Sequence, residues 1–264
     1  MSENGETLFL SSGIPGELTL TGFREQREFR DSDPDVAFAL YAKSSVAAAA
    51  GDPTDFVASI ANSKGFPNTY PPMVGPIVIA EIMYNPANPA DPEQEYIELV
   101  NVSGSTVALQ RHYPDEGIFV QWKFTDGIRY TFPPNTAIAA GDYVYVVYDP
   151  AEFSAAYPGV PAGKILGPFE NDDGGERTKL RNSGDDLELS KPGDKDLDTG
   201  ERFYILVDRV NYSDGAHPKT GYIAPWPTGA DGGGQALKRK ELQQFGNDPN
   251  NWQASIPTPA VVNP

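Results

Sequence analysis

The chain has no cysteine and only two histidines in 264 residues. The first absence removes disulfides and thiol chemistry together, and leaves the redox compartment open. The second leaves no His-x-x-x-His pair to hold zinc. Positive charge is scarce as well: 20 Lys and Arg stand against 37 Asp and Glu, giving a formal charge of −17. A field of that sign repels phosphate backbones and anionic headgroups, so nucleic acid and a bare membrane surface are poor partners. No run approaches the roughly 18 to 20 apolar residues of a membrane span, and residues 1–20 lack the basic start and apolar stretch of a secretion signal. Membrane insertion is not expected. Cations, basic surfaces and neutral glycans remain open as partners.

What the chain has in quantity is punctuation. Its 26 Gly and 25 Pro are more than a helical protein tolerates, and 39% hydrophobic content is low for sheets buried on both faces. Short alternating runs at 77–84, 95–100, 121–124, 129–132, 143–148, 186–189, 203–210 and 236–239 read as strands. Asp126-Gly127 reads as a hairpin turn. One short helix is expected at 150–157, capped by Asp149 with Pro150 in first position. The alanines of 47–51 are too few to make a stable helix on their own. Many short strands with turn chemistry between them indicate an all-β sandwich of two sheets.

The chain also repeats itself. Gly5-Glu6-Thr7-Leu8-Phe9-Leu10-Ser11 returns as Gly184-Asp185-Asp186-Leu187-Glu188-Leu189-Ser190, and Asp55-Phe56-Val57-Ala58-Ser59-Ile60 returns in the same order as Asn251-Trp252-Gln253-Ala254-Ser255-Ile256. Such self-similarity marks a modular array. Residues 1–61 therefore read as a partial half-repeat, 62–76 as a linker rich in Pro, Gly and Asn, and 77–264 as a complete sandwich with long loop insertions. A chain that opens inside a repeat is expected to be a fragment of a tandem array with its export signal upstream.

Seven stretches then carry a resemblance. They are Val78-Ile79-Ala80-Glu81-Ile82-Met83-Tyr84-Asn85-Pro86, Glu95-Tyr96-Ile97-Glu98-Leu99-Val100-Asn101, Trp122-Lys123-Phe124-Thr125-Asp126-Gly127, and Phe132-Pro133-Pro134 leading to Gly141-Asp142-Tyr143. Further on come Leu180-Arg181-Asn182-Ser183-Gly184-Asp185-Asp186-Leu187-Glu188-Leu189, Val207-Asp208-Arg209-Val210-Asn211-Tyr212, and Trp226-Pro227-Thr228 to Gly234. In this order, over about 73 to 264, they resemble the lamin-tail domain, an immunoglobulin-like sandwich found in nuclear lamins and in large exported bacterial proteins. The insertions at 111–120, 158–177, 193–202 and 213–225 depart from that pattern. The resemblance implies an immunoglobulin-like β-sandwich preceded by a partial β module. It implies an extracellular or cell-surface interaction, spacer or assembly module rather than an enzyme, with other protein modules or copies of itself as partners. The DNA association attributed to animal lamin tails does not carry over to so acidic a surface.

A few residues are candidates for chemistry. Asp194, Asp196 and Asp198 alternate ahead of Gly200 and Glu201, as the oxygen ligands of a Ca²⁺ loop do, although Thr199 intervenes and Ile205 stands at the loop's end. The plain alternative is a solvated hairpin tip. The acidic turn of 171–176 is a weaker second case. Glu81 shares a strand face with Ile77, Ile79 and Met83 by simple alternation, and a buried carboxylate there needs donors. Glu95 and Glu98 fall on opposite faces, which argues against a glycosidase pair. His112 and His217 lie in insertions without a nucleophile motif beside them, so a Ser-His-acid triad is not expected. Tyr222 and Trp226, near Tyr212 and His217, offer an aromatic platform for sugar rings, and a carbohydrate-binding sandwich is the alternative to the interaction module. Packing of the loop on the sandwich is the plain reading of the same residues. Trp122 and Trp252 are expected in the core, with Phe56 in the place equivalent to Trp252.

Overall fold

The computed structural model describes residues 5–49, 51, 53–67, 70–87, 94–171, 179–214 and 226–259. The N-terminal stretch makes two separate hairpins. The long one pairs β1 (Gly5–Gly13) with β2 (Leu20–Arg30), and the short one pairs β3 (Ala37–Ala42) with β4 (Thr54–Ser59) around the five-residue helix α1 (Ser45–Ala49). The helix forms where the alanines alone are too few. Ser44 Oγ caps the Ala47 N–H at 3.3 Å, and Ser44 is itself fixed by Asp248, so tertiary anchoring supplies the nucleation that the local sequence lacks.

The sandwich follows. Its larger sheet takes β5 (Ile77–Met83), β6 (Tyr96–Asn101), β13 (Tyr143–Val147), β14 (Ile165–Leu166), β18 (Ala236–Arg239) and β19 (Trp252–Ser255), in the spatial order β14-β13-β6-β5-β18-β19. Its smaller sheet takes β10 (Lys123–Asp126), β16 (Gly184–Lys195) and β17 (Arg202–Ser213), with β16 in the middle. Short ribbons close the corners: β7 (Val107–Ala108) with β12 (Ala137–Ile138), β8 (Gln110–Tyr113) with β9 (Ile118–Gln121), and β11 (Ile128–Arg129) with β15 (Glu170–Asn171). The insertion at 111–120 is thus the β8–β9 hairpin.

Between the sheets lie Ile79, Ile82, Ile97, Leu99, Val144 and Val146 from one side and Phe124, Leu187, Leu189, Val210 and Tyr212 from the other. The outer face of the larger sheet is covered too. Tyr96, Tyr145 and Val147 pack under Phe153 of α2 (Pro150–Ala156), whose cap is Asp149 accepting from Ala151 N at 2.8 Å. Covering both faces explains why β5 and β6 read as nearly unbroken apolar runs.

Simple alternation misplaces Glu81. A register shift between Ile79 and Glu81 inserts one residue against β6, so Ile77 and Ile79 face inward, and so do Ile82 and Tyr84. Glu81 therefore sits with Met83 and Tyr96 on the outer face, not with Ile77 and Ile79. A bulge shifts the period-two pattern by one residue, and Ala80 gives no local sign of it.

The N-terminal hairpins contrast with the sandwich in one respect. Among the described residues before Ile77, Ala47 is the only buried hydrophobic side chain. Phe29, Phe38 and Phe56 touch in a row, with ring centroids 5.6 and 5.8 Å apart, but none is fully enclosed. In order and pairing the two hairpins follow β16–β17 and β18–β19: Glu6 faces Phe29 where Asp185 faces Tyr212, and Phe38 faces Ala58 where Leu237 faces Ala254.

Candidate functional site

The site with the most chemistry on its surface is the seam where the hairpins meet the sandwich. β4 brings Asp55 to β17, where its carboxylate pairs with Arg209 and accepts from Asn247 Nδ2 at 2.9 Å. Burial alone would raise the Asp55 carboxyl, but Arg209 and Asn247 outweigh it and hold it below the usual carboxylate range. Ser44 donates to Asp248 through its backbone N–H at 2.7 Å and its hydroxyl at 2.6 Å. Tyr41 meets the edge of Phe245 at 5.3 Å. Arg30 pairs with Glu188, and Lys191 with Asp33, at the other end of the seam.

Between these contacts a cleft of about 230 Å³ remains, floored by Phe29, Phe38, Phe56, Ile205, Val207 and Phe245. Of its rim charges, Arg30 and Asp33 of the hairpins pair with Glu188 and Lys191 of the sandwich, and Arg209 pairs with Asp55, while Asp208 pairs with Arg239 within the sandwich.

A second polar cluster lies under α2. Glu81 accepts from the Tyr96 hydroxyl, from Thr258 N at 3.0 Å and from Thr258 Oγ1 at 2.7 Å. Glu98, its cross-strand partner, accepts from the Tyr145 hydroxyl at 3.2 Å. Burial, helped by the neighbouring Glu81, pushes Glu98 up to about 8 and Tyr96 well above its ordinary value. Glu95 accepts from Leu180 N at 2.7 Å toward the other side of the sheet, and burial pushes it up to about 9. Two raised carboxyls suggest acid chemistry, but Glu95 and Glu98 point to opposite sides of the larger sheet, each buried and each accepting an internal hydrogen bond.

The residues singled out in the sequence are scattered by the fold. Asp196 Oδ1 accepts from the backbone N–H groups of Asp198 and Thr199 at 2.8 and 3.2 Å, forming the hairpin turn between β16 and β17. Asp194 lies 3.7 Å from Arg111, and Glu201 enters the turn through its backbone, its carbonyl accepting from Asp196 N at 2.8 Å and its N–H donating to Thr199 Oγ1 at 3.2 Å. Among the described residues no three acidic or imidazole side chains form a metal cluster. Trp226 is buried, its ring 6.0 Å from that of Trp252. As a core ring it cannot serve as an exposed sugar platform. Tyr222 and His217 lie outside the described residues, as does most of 171–176. His112 stacks on Phe119 in the exposed β8–β9 hairpin. Trp122 and Trp252 are core residues as expected.

Sequence reasoning misses the seam residues, yet one signal is there. The repeat carries Asp55 where its second copy carries Asn251, whose side chain bonds locally to Glu241 O at 3.0 Å. The acid marks the position that is turned toward a basic partner.

A closed immunoglobulin-like sandwich, joined to two N-terminal hairpins through a polar seam, defines the class of fold. A family model described as the Lamin Tail Domain matches residues 71–214, more than half of the chain, and the chain belongs to that family. The fold goes on past the match, because β18 and β19 complete the larger sheet beside β5. No curated protein and no solved structure matches the chain. Among the described residues no helix is long and apolar enough to cross a membrane.

Proposed function

We propose that this chain is a non-catalytic assembly and spacer module of a larger exported bacterial protein, acting outside the cell or at its surface. In this reading the lamin-tail sandwich holds a partial second copy of itself, residues 5–59, docked along β17. The observation that carries it is the Asp55–Arg209 pair with Asn247: it joins a hairpin that has no core of its own to one that does. The order of the hairpins, matching that of β16–β17 and β18–β19, supports reading the N-terminal stretch as the closing half of such a module. The acidic, cysteine-free composition suits an exported protein that needs neither disulfides nor nucleic acid.

Hydrogen exchange on the full chain tests this. With Arg209→Ala or Asp55→Ala, amides of 5–59 are expected to lose protection together while those of β5, β6 and β13 keep theirs. A fragment of residues 1–61 is expected not to fold by itself. Hairpins that stay protected without the pair, or a 1–61 fragment with a cooperative melt, overturn the reading.

A further inference from the structure

We infer that the outer edge of β1 is a docking site for one extended strand of β10 chemistry, supplied by a segment that has no β16-like partner of its own; this rests on the half-module reading above. In the smaller sheet the middle strand β16 has two partners, β17 on one edge and β10 on the other. β1 repeats β16 in sequence and pairs with β2 as β16 pairs with β17, but its other edge carries no strand among the described residues. A strand edge left open presents a row of backbone donors and acceptors for addition of a further strand.

The distal half of the same hairpin is bare as well. Phe9 is 74% exposed, Leu10 65% and Phe23 55%. Their counterparts explain what is missing. Leu189, which Leu10 repeats, is fully buried and faces Phe124 of β10 across the ladder. Ser190, which Ser11 repeats, shares a hydrogen bond of 2.8 Å with the Thr125 hydroxyl. Asp186, which Thr7 repeats, lies so near Gly127 that a Cβ there would meet its carbonyl oxygen at 2.7 Å, and Gly127 has a φ of +85°.

These three contacts specify the occupant. It is an antiparallel strand with an aromatic residue over Leu10, a hydroxyl beside Ser11 and a glycine against Thr7, in the spacing Phe-Thr-Asp-Gly. A second copy of this chain cannot supply it without opening its own sandwich, because its β10 is already paired to β16. The strand therefore comes from a segment whose own β16-like partner is β1.

The full chain titrated with a peptide of residues 119–131 tests this, followed by amide chemical shifts and calorimetry. Saturable binding is expected, with shifts along 5–13. A peptide carrying Gly127→Val is expected to bind at least tenfold more weakly, and so is the parent peptide to a Leu10→Lys chain. Leu10 is exposed, so that substitution leaves folding intact. Absence of binding, binding indifferent to both changes, or shifts on β16 in place of β1 would overturn the inference. A dimer by light scattering that the peptide fails to dissociate would assign the edge to a second copy and overturn it too. Failure here, with 5–59 still released by Arg209→Ala in hydrogen exchange, removes the strand site alone and leaves the docked half-module standing.

Discussion

Asp208 and Arg239 form a buried ion pair that ties the two sheets together: Asp208 Oδ2, on β17, accepts from Arg239 Nη1, on β18, at 2.7 Å and from Ile79 N, on β5, at 2.8 Å. Burial raises the Asp208 carboxyl more than Arg239 lowers it, so the pair is held at a desolvation cost. Removing one partner leaves the other charge buried alone. Asp208→Ala or Arg239→Met is expected to cost about 3–5 kcal/mol in urea unfolding, and the double apolar variant Asp208→Leu/Arg239→Met to recover much of it. Single variants within about 1 kcal/mol of the parent would show that the pair does not hold the sheets.

Trp252 is 2% exposed and donates its indole N–H to Gly246 O at 2.7 Å. Trp252→Ala is expected to lose roughly 3–5 kcal/mol, from the cavity and from the carbonyl left without its donor. Phe56, in the equivalent place but only partly buried, is expected to matter less. A Trp252→Ala protein melting within a degree or two of the parent contradicts the core assignment.

The pH dependence follows from Glu98 and Glu95. Both are raised, to about 8 and about 9, from an ordinary value of 4.5. Between those limits the folded chain keeps protons that the unfolded chain has released, so stability falls as pH rises from 5 toward 9. Each group contributes a slope of at most about 1.4 kcal/mol per pH unit. Glu98→Gln should flatten the profile of unfolding free energy between pH 5 and 8, and an unchanged slope would rule out its protonation in the folded state.

Calcium is tested by melting the protein in millimolar Ca²⁺ and in chelator. With Asp196 already accepting two backbone N–H groups and Asp194 beside Arg111, the expected outcome is no shift. A rise in melting temperature that disappears in Asp196→Asn and Asp198→Asn would establish the loop as a site.

How far the sequence can be read depends on whether a residue's role is local. The runs around Ile79, Ile97 and Val146 announce their strands because both faces of one sheet are covered, and Asp149-Pro150 announces α2 because capping is decided within a turn. The bulge before Glu81 is invisible because it depends on which residue of β6 lies opposite. Alternating acids in 194–198 fit a metal loop and an Asx turn equally well until the backbone path is known. Trp226 poses the same difficulty, since a ring beside an insertion can pack inward or outward. Asp55 and Arg209 stand 154 positions apart, and only the departure of Asp55 from Asn251 in the repeat points beyond its own hairpin.

A segment without a core has a mechanical meaning. Residues 5–59 are fastened to the sandwich mainly by charged and polar contacts, with Tyr41 against Phe245, whereas the sandwich is held by a packed core between its sheets. Pulled between its ends, the chain yields first at that seam, and 55 residues at about 3.4 Å each release on the order of 190 Å of contour length before the sandwich is loaded. In a force-extension trace this is a first, low-force step of that length, fully reversible on relaxation. A string of such units would behave as a series of slack tethers with stiff beads between them, absorbing a tug before any bead unfolds.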